Sequence, residues 1–367
     1  MSTASLPDLL AAPADDLLML TAAVVAVPSV SHDERELADR VESRLAERAP
    51  GLALARVANN VIVRTELGRD RRVLLGGHLD TVPGNGNETP RFDGDVLHGL
   101  GSADMKGGLA VLLRLAEEIS VGREPRVDCT LFFYESEEIA DEFNGLRWVF
   151  GEQPELLAGD FAVLLEPTGG RVEAGCQGTL HVRAYFDGER AHSARPWQGS
   201  NAIHAAAEVL HRLAAHESDT VTVDGLPYRE SLQVVRIDGG VANNVVPDSC
   251  TLVVNRRFAP LYSVDEARAQ VQHLLAGADE IELLNASPAA PPNLDHPFVA
   301  EFVDTLGVDV EPKLGWTDVA RFASRGVPAV NFGPGDPEVA HTANERVTRA
   351  SLEQCYAALA QFLGVAA

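Results

Sequence analysis

The sequence predicts an α/β protein of two domains, with the smaller domain inserted into the larger. Three observations lead to this prediction. The chain has 367 residues, a length typical of two domains. Near-continuous apolar runs alternate with helical patterns in 1–177 and again in 286–367, as in a sheet covered by helices on both faces. The intervening segment 178–285 follows the order β-α-β-β-α-β, which is typical of a small ferredoxin-like domain.

In the larger domain, the apolar residues between 15 and 47 recur at helical spacing, with a break at 28–31. Short apolar runs further along predict five strands: Asn60–Val63, Arg72–Leu75, Thr130–Tyr134, Phe161–Leu165 and Ala329–Phe332. Four further helices are predicted to begin at Gly107, Pro297, Asp318 and Ala350.

The inserted domain is predicted from its own strand and helix patterns. Its four strands are Leu180–Phe186, Ser231–Ile237, Ser249–Phe258 and Glu280–Leu284, and its two helices are Ala202–Ala215 and Val264–Leu275. This domain is too small to build a large core, and its second and third strands offer an edge that a twofold partner could cover.

The charge balance excludes several classes of function. The chain carries 30 Lys and Arg against 54 Asp and Glu, a formal net charge of −24, which excludes a general attraction to nucleic acid or to an anionic membrane. No apolar run is long enough to span a membrane, and the first thirty residues lack the basic start of a secretory signal. The four cysteines are far apart in the chain, so we expect reduced thiols in a cytoplasmic protein.

Five polar motifs stand at the ends of predicted strands or in loops. They contain, in chain order, His78 with Asp80, Asp104, Glu137 with Glu138, Glu166 and His341. The carboxyl ends of strands in an α/β sheet border one crevice, so these motifs can converge there. Taken singly, His78 with Asp80 is more typical of a hydrogen-bonded turn, the glutamate pair of an acidic surface, and His341 of a loop histidine. Glu166 is less easily explained in this way, because a carboxylate that ends a buried strand is costly unless a cation compensates it. Together, their imidazoles and carboxylates predict a site for zinc or a neighbouring divalent ion.

The motifs HLDTVP, GSADMKGG, SEE, LEPT and HTANE, in this order, resemble those of the M20 family of dinuclear zinc amidohydrolases. The resemblance covers nearly the whole chain. It implies a zinc-aminopeptidase-like catalytic domain with a central mixed sheet, and an inserted lid or dimerisation domain. It also implies two Zn²⁺ ions, for which Co²⁺ or Mn²⁺ can substitute. The implied ligands are His78 and Glu166 for one ion, Glu138 and His341 for the other, and Asp104 for both.

The resemblance assigns further roles around these ligands. Asp80 would orient His78, and Glu137 would be the general base that takes a proton from the attacking water. Members of the family hold the peptide after the bridging aspartate in cis, so we expect a cis Asp104–Met105 bond. The chain departs from the common pattern at Ile139, which follows the glutamate pair where a glycine is usual.

Four candidates lie outside these motifs, and three of them have an alternative interpretation. The resemblance implies that His192 reaches the other subunit's site as an oxyanion donor, whereas by itself it is typical of a surface histidine. It also implies substrate contacts for Asn244 and Thr317, whereas Arg257 is a candidate because a guanidinium can bind a substrate carboxylate with two hydrogen bonds. Without the resemblance, Asn244 is typical of a turn and Thr317 of a helix cap. Arg256 faces away from Arg257 on the same strand and is expected in solvent.

The longer stretches EAGCQGTL, RAHSARPWQGSNAIH and NRRFAP resemble the actinobacterial members that cleave N-succinyl-LL-2,6-diaminopimelate into succinate and LL-2,6-diaminopimelate, for lysine and cell-wall synthesis. A small N-acyl diamino acid substrate and a homodimer formed through the inserted domain are therefore implied. Two alternatives stay open. One is deacetylation of N-acetylornithine or another N-acyl amino acid. The other is a zinc-loaded binding protein without catalysis, against which the intact Glu137 argues.

Overall fold

The structure is a computed structural model that describes residues 8–366. Residues 1–7 and residue 367 lie outside it, and 1–7 are the start of the segment predicted to lack a secretory signal. The described chain forms two compact units. Unit 1 comprises 8–174, Asn293–Glu311 and 321–366, and unit 2 comprises Gly175–Pro292 and Pro312–Ala320. The sequence prediction set the inserted domain at 178–285.

The wider boundaries of unit 2 have a structural reason. Cys176 and Ala290 exchange both of their backbone hydrogen bonds, each at 3.0 Å, so the segments that flank the predicted domain pair with each other. The amide of Gln177 donates to the carbonyl of Lys313 at 3.1 Å, which ties the segment that begins at Pro312 to the same unit. These are single pairs of residues, too short to give a strand pattern in the sequence.

The described residues contain nine α-helices and seventeen β-strands. The helices are α1 Leu17–Val25, α2 Arg35–Arg48, α3 Lys106–Ser120, α4 Gly145–Glu152, α5 Ala202–Ala214, α6 Val264–Leu274, α7 Pro297–Leu306, α8 Val319–Ala323 and α9 Arg349–Leu363. The strands are β1 Ala53–Val57, β2 Asn60–Arg64, β3 Arg72–His78, β4 Arg91–Asp93, β5 Val96–His98, β6 Asp128–Tyr134, β7 Phe161–Leu164, β8 Val172–Ala174, β9 Gly178–Asp187, β10 Thr220–Val223, β11 Leu226–Arg229, β12 Ser231–Gly239, β13 Ser249–Phe258, β14 Glu280–Ser287, β15 Val310–Pro312, β16 Ala329–Asn331 and β17 Arg346–Thr348.

An eight-stranded mixed sheet organises unit 1, in the order β1-β2-β6-β3-β7-β16-β8-β15. Its centre is parallel: β3 pairs with β6 and β7, and β7 pairs with β16, all in the same direction. Strands β1 and β2 extend it antiparallel at one edge, and β8 pairs antiparallel with β16. The mixed α/β sheet is therefore confirmed.

Neighbouring glycines in β3 show that both faces of this sheet are tightly covered. A Cβ atom at Gly76 would lie 2.0 Å from the ring of Phe132, whereas one at Gly77 would lie 2.5 Å from Cε of Met105. Consecutive strand residues point to opposite faces, so the two contacts lie on opposite faces of the sheet. Only glycine therefore fits at each of these two positions. The close packing on both faces buries the end of β3, where His78 lies.

Unit 2 is built on a four-stranded antiparallel sheet in the order β12-β13-β9-β14, with α5 and α6 packed against it. This is the order of a ferredoxin-like fold, as the sequence pattern predicts. The hairpin β10–β11 is additional and was not predicted. Its strands have four residues each, and its Asp224–Gly225 turn has positive φ at both residues, the signature of a type I′ hairpin. None of the described helices is long and apolar enough to cross a membrane.

Candidate metal centre and catalytic site

The five polar motifs of unit 1 meet at the carboxyl ends of the central strands. His78 ends β3, Glu138 follows β6, Glu166 follows β7, and Asp104 lies two residues before the start of α3. His341 is in the loop before β17. The fold thus brings together residues that are up to 263 positions apart in the sequence, as the order of the motifs predicts.

The potential ligand atoms form three groups, two of which share Asp104. One of these two contains His78, Asp104 and Glu166, and the other contains Asp104, Glu138 and His341; within each group the atoms lie within 4.8 Å of one another. Nε2 of His78 is 3.1 Å from Oδ1 of Asp104, and Nε2 of His341 is 3.4 Å from Oδ2 of the same carboxylate. This division into two groups is the one that the resemblance implies.

The carboxylates give the centre a negative field. Hydrogen bonds that the His341 ring donates to Asp104 and Glu138 raise its pKa to about 10. Burial would lower the pKa of His78, but Asp104, Asp80 and Glu166 together hold it well above its usual value. Two imidazoles and three carboxylates form a donor set that suits two first-row divalent cations, which would take the place of these protons. The residues therefore fit a dinuclear metal centre.

Asp80 holds more than the His78 ring. Its fully buried carboxylate lies 3.5 Å from Nδ1 of His78, and the same nitrogen is 3.0 Å from the Asp80 carbonyl. Oδ1 also accepts from the amide of Glu137 and Oδ2 from the amide of Glu138, both at 3.0 Å, and Oδ2 accepts from Oγ of Ser31 at 2.8 Å. One carboxylate thus positions a histidine and the backbone of both glutamates.

The glutamate pair is held in a defined turn. Ser136 has a φ of 60°, and both its amide and its hydroxyl donate to Oε1 of the buried Glu34, at 3.2 and 3.1 Å. Potential ligand atoms of Glu137, Glu138 and His78 also lie within 4.8 Å of one another. The carboxylate of Glu137 is therefore beside the proposed ligands, where a general base is needed. The amides of both glutamates keep their hydrogen bonds to Asp80 although Ile139 replaces the usual glycine.

The peptide bond between Asp104 and Met105 is cis, which confirms that prediction. Two buried acids near the site, Glu34 and Glu345, were not predicted to have a role in it. Glu345 belongs to the HTANE motif, and this position beside His341 was the one sign in the sequence that it could lie near the site. Neither the spacing nor the residue type indicated which groups these acids would bind, because their partners are backbone amides of distant loops.

The remaining candidates belong to unit 2. His192 and Asn244 are both exposed and lie on paired segments: the amide of Ser193 donates to the Asn244 carbonyl at 3.0 Å, and His192 forms an isolated bridge with Val245. Thr317 is nearly buried, and its carbonyl is 3.7 Å from Sγ of Cys176. Arg257 is partly buried in β13, where desolvation lowers its pKa. These positions leave the predicted roles of the four residues untested.

The expectation that Arg256 is in solvent is wrong. Its side chain is buried, and Nη2 donates to Oε2 of Glu230 at 2.7 Å and to the side chain of Gln270 at 3.3 Å. The alternation of β13 does place Arg256 opposite to Arg257, but the face it points to is packed against α6. The sequence pattern gave the face of the strand correctly, but it did not show that the face is covered.

Comparisons with known proteins point to one family. The family model "Peptidase family M20/M25/M40" matches residues 74–364. A Corynebacterium glutamicum protein named succinyl-diaminopimelate desuccinylase is 42% identical over 354 residues, which cover 95% of this chain and 96% of that protein. A Mycobacterium tuberculosis H37Rv protein, given the same name provisionally, is 48% identical over 350 residues, which cover 95% of this chain and 98% of that protein.

Solved structures share the fold at lower sequence identity. A tripeptidase from Staphylococcus aureus has a TM-score of 0.78 at 21% identity, and the alignment covers 96% of this chain and 98% of that one. A Bacillus subtilis protein described as a dinuclear metal-binding peptidase of the M20 family has a TM-score of 0.69 at 16% identity, with 95% of this chain and 97% of that one covered.

Proposed function

The chain belongs to peptidase family M20/M25/M40, and on that premise we propose that it hydrolyses the amide bond of N-succinyl-LL-2,6-diaminopimelate to succinate and LL-2,6-diaminopimelate. The observation that carries the reaction class is the pair of donor groups that share Asp104, with Glu137 beside them. The choice of substrate is supported by the names of the Corynebacterium and Mycobacterium relatives.

The proposed cofactor is a pair of Zn²⁺ ions. His78, Asp104 and Glu166 would hold one ion, and Asp104, Glu138 and His341 would hold the other. Nδ1 of His78 is engaged by the Asp80 carbonyl, which leaves Nε2 as the nitrogen that faces Asp104 and the centre. When bound, two such cations lower the pKa of a water molecule and polarise the substrate carbonyl.

Glu137 is the proposed proton shuttle. Its carboxylate accepts a proton as water attacks the succinyl carbonyl, and then delivers this proton to the leaving amine. The Asp80 carboxylate accepts from the Glu137 amide and so fixes the Glu137 backbone. This places the carboxylate of Glu137 beside Glu138 and His78. His341 is half exposed, which leaves the centre accessible from the solvent side.

His192 of the partner subunit is proposed to stabilise the oxyanion. The amide of Ala194 donates to Nδ1 of His192 at 3.0 Å, so in the neutral ring the proton is on Nε2. An exposed Nε2–H is the donor that an oxyanion requires. Asn244, on the segment paired with His192, is the proposed neighbouring contact with the substrate.

A homodimer formed through unit 2 is part of this proposal. Strand β12 is an edge of its sheet, and the apolar side chains of Val235 and Ile237 on this strand are 56% and 51% exposed. An unpaired edge strand with exposed apolar residues is favourable for pairing with a second copy. Size-exclusion chromatography with light scattering gives the oligomeric state directly.

Arg257 and Thr317 are the proposed contacts for the substrate's polar ends. A guanidinium can bind a carboxylate with two parallel hydrogen bonds, whereas a lysine ammonium cannot. If Arg257 binds the distal carboxylate of the succinyl group, the Arg257→Lys variant should raise KM for the succinylated substrate more than KM for N-acetylornithine, which lacks that carboxylate.

The decisive experiment measures steady-state hydrolysis of N-succinyl-LL-2,6-diaminopimelate and N-acetylornithine by the zinc-loaded protein. We expect a kcat/KM for the succinylated substrate that exceeds the value for the acetylated one. The reverse preference would make the protein a deacetylase. No hydrolysis of either substrate by a protein that holds two zinc ions would favour a metal-binding protein without this activity.

A further inference from the structure

Glu345 is a buried acid whose partners are backbone amides of the loop that carries Asp104. Its side chain is 2% exposed. Oε2 accepts from the amide of Gly101, and Oε1 accepts from the amides of Ala103 and Asp104, all at 3.0 Å. The backbone adds a fourth bond, from the amide of Gly99 to the Glu345 carbonyl at 3.2 Å. The Gly99–Asp104 loop is therefore attached to a single residue at four points.

This residue connects two proposed metal ligands that are far apart in the chain. Asp104 and Glu345 are separated by 241 positions, and the amide that Oε1 binds belongs to Asp104 itself. At the other end, Glu345 is part of the turn that carries His341, because its amide donates to the carbonyl of Thr342 at 3.2 Å. The carboxylate thus joins the loop of the shared ligand to the loop of the histidine.

We propose that Glu345 is a positioning residue that sets the distance between Asp104 and His341, and thereby the affinity of both metal positions. The inference rests on the metal centre of the proposed function but not on its substrate. Both positions depend on Asp104, so a displaced Asp104 loop weakens both. A glutamine cannot replace the carboxylate, because with its oxygen at the Oε1 position its NH₂ group would face the Gly101 amide, donor against donor.

The test is the E345Q variant, with Asp128→Asn as the matched control. Asp128 is also buried and also holds a loop of unit 1, since it accepts from the hydroxyl of Thr65 at 2.6 Å and from the amides of Leu67 and Arg69 at 2.9 Å. Asp128 begins β6, whereas Tyr134, which pairs with His78, ends the same strand. At 3.3 Å per residue, Asp128 is about 20 Å from that end.

Metal-free wild type and both variants are titrated with Zn²⁺ and with Co²⁺ in competition with a chelator, and thermal unfolding is measured on the same samples. We expect E345Q to bind both ions about 10- to 100-fold more weakly, as the loss of a residue that orients ligands does. The absorption spectrum of the Co²⁺ form should change as well. Asp128→Asn should lower Tm and leave both affinities and the spectrum unchanged.

Three results would overturn the inference: wild-type affinity at both positions in folded E345Q, a loss confined to one position, or an equal loss in Asp128→Asn. If E345Q does not fold, E345D retains the charge on a shorter side chain and is judged by the same criteria. A wild type that binds two ions but does not cleave the succinylated substrate would refute the proposed function and leave the inference about Glu345 intact.

Discussion

Replacing Asp80 with asparagine should weaken the metal centre and the fold together. Each of the two carboxylate oxygens of Asp80 accepts from a different backbone amide, Oδ1 from Glu137 and Oδ2 from Glu138, both at 3.0 Å. Asparagine has one oxygen and one NH₂ group in the same space. Whichever way its amide is turned, one of the two backbone N–H groups faces a donor and loses its acceptor.

The magnitude follows from these contacts. A buried donor without an acceptor costs about 1 to 3 kcal/mol, so the free energy of unfolding should fall by about that amount. If the NH₂ group occupies the Oδ1 position, it also faces the Nδ1–H of His78, donor against donor, and disturbs the ring that donates to the carbonyl of residue 80. Loss of such an orienting partner weakens metal binding by about 10- to 100-fold. Alanine would leave all the donors without an acceptor, so asparagine is the more informative change.

The assay is urea unfolding of the metal-free protein together with chelator-competition titration of Zn²⁺. The control is Ser31→Ala, which removes the hydrogen bond from the Ser31 hydroxyl to Oδ2 but leaves both amide bonds in place. It should cost only about 0.5 to 1.5 kcal/mol and leave metal affinity unchanged. Wild-type stability and affinity in Asp80→Asn, or an equal loss of affinity in the control, would refute the reasoning.

Three further predictions follow from the site and the fold. Glu137→Gln should lower kcat at least about 10² to 10⁴-fold with two ions still bound, and loss of both ions on purification would instead make Glu137 a ligand. A mixture of His192→Ala and Glu137→Ala, each nearly inactive, should recover up to about one quarter of wild-type activity after random subunit exchange. Half of the dimers are then mixed, and one of the two sites in each mixed dimer is complete. No recovery after proven subunit exchange would exclude donation of His192 by the partner. Burial would raise the pKa of Asp128, but hydrogen bonds from Thr65 and two amides hold it below its usual value. Its contribution to stability is therefore present above about pH 4 and lost in more acidic solution, and Asp128→Asn should show a shallower fall in unfolding free energy there than wild type, as measured by urea unfolding at several pH values.

The sequence was sufficient for the central architecture because the decisive patterns are long. The ten-residue strands β9 and β13 and the fifteen-residue helices α3 and α9 bury many residues at regular spacing, and each was predicted near its observed position. The short strands β4, β5 and β17 have three residues each and were not predicted. Three residues give no periodicity, and these strands exist because they pair with one another.

The candidate site was predictable only in part, for a similar reason. His78 ends a recognisable strand, Asp104 lies just before a recognisable helix and His341 belongs to a distinctive motif, so their convergence could be expected. The roles of Glu34 and Glu345 could not, because a buried acid that binds backbone amides has no sequence signature. Which amides it reaches is decided by how loops far apart in the chain pack. The same limit explains Arg256, whose surroundings depend on the contact between β13 and α6.

The buried acids around the centre share one feature that bears on its chemistry. Asp80, Glu34 and Glu345 direct their carboxylates mainly to backbone N–H groups. Amides orient a carboxylate without neutralising its charge. An arginine in the same place would orient it too, but would add a positive charge that repels an incoming divalent cation. Acids held by amides therefore fix the ligand loops and at the same time preserve the negative field that attracts two metal ions.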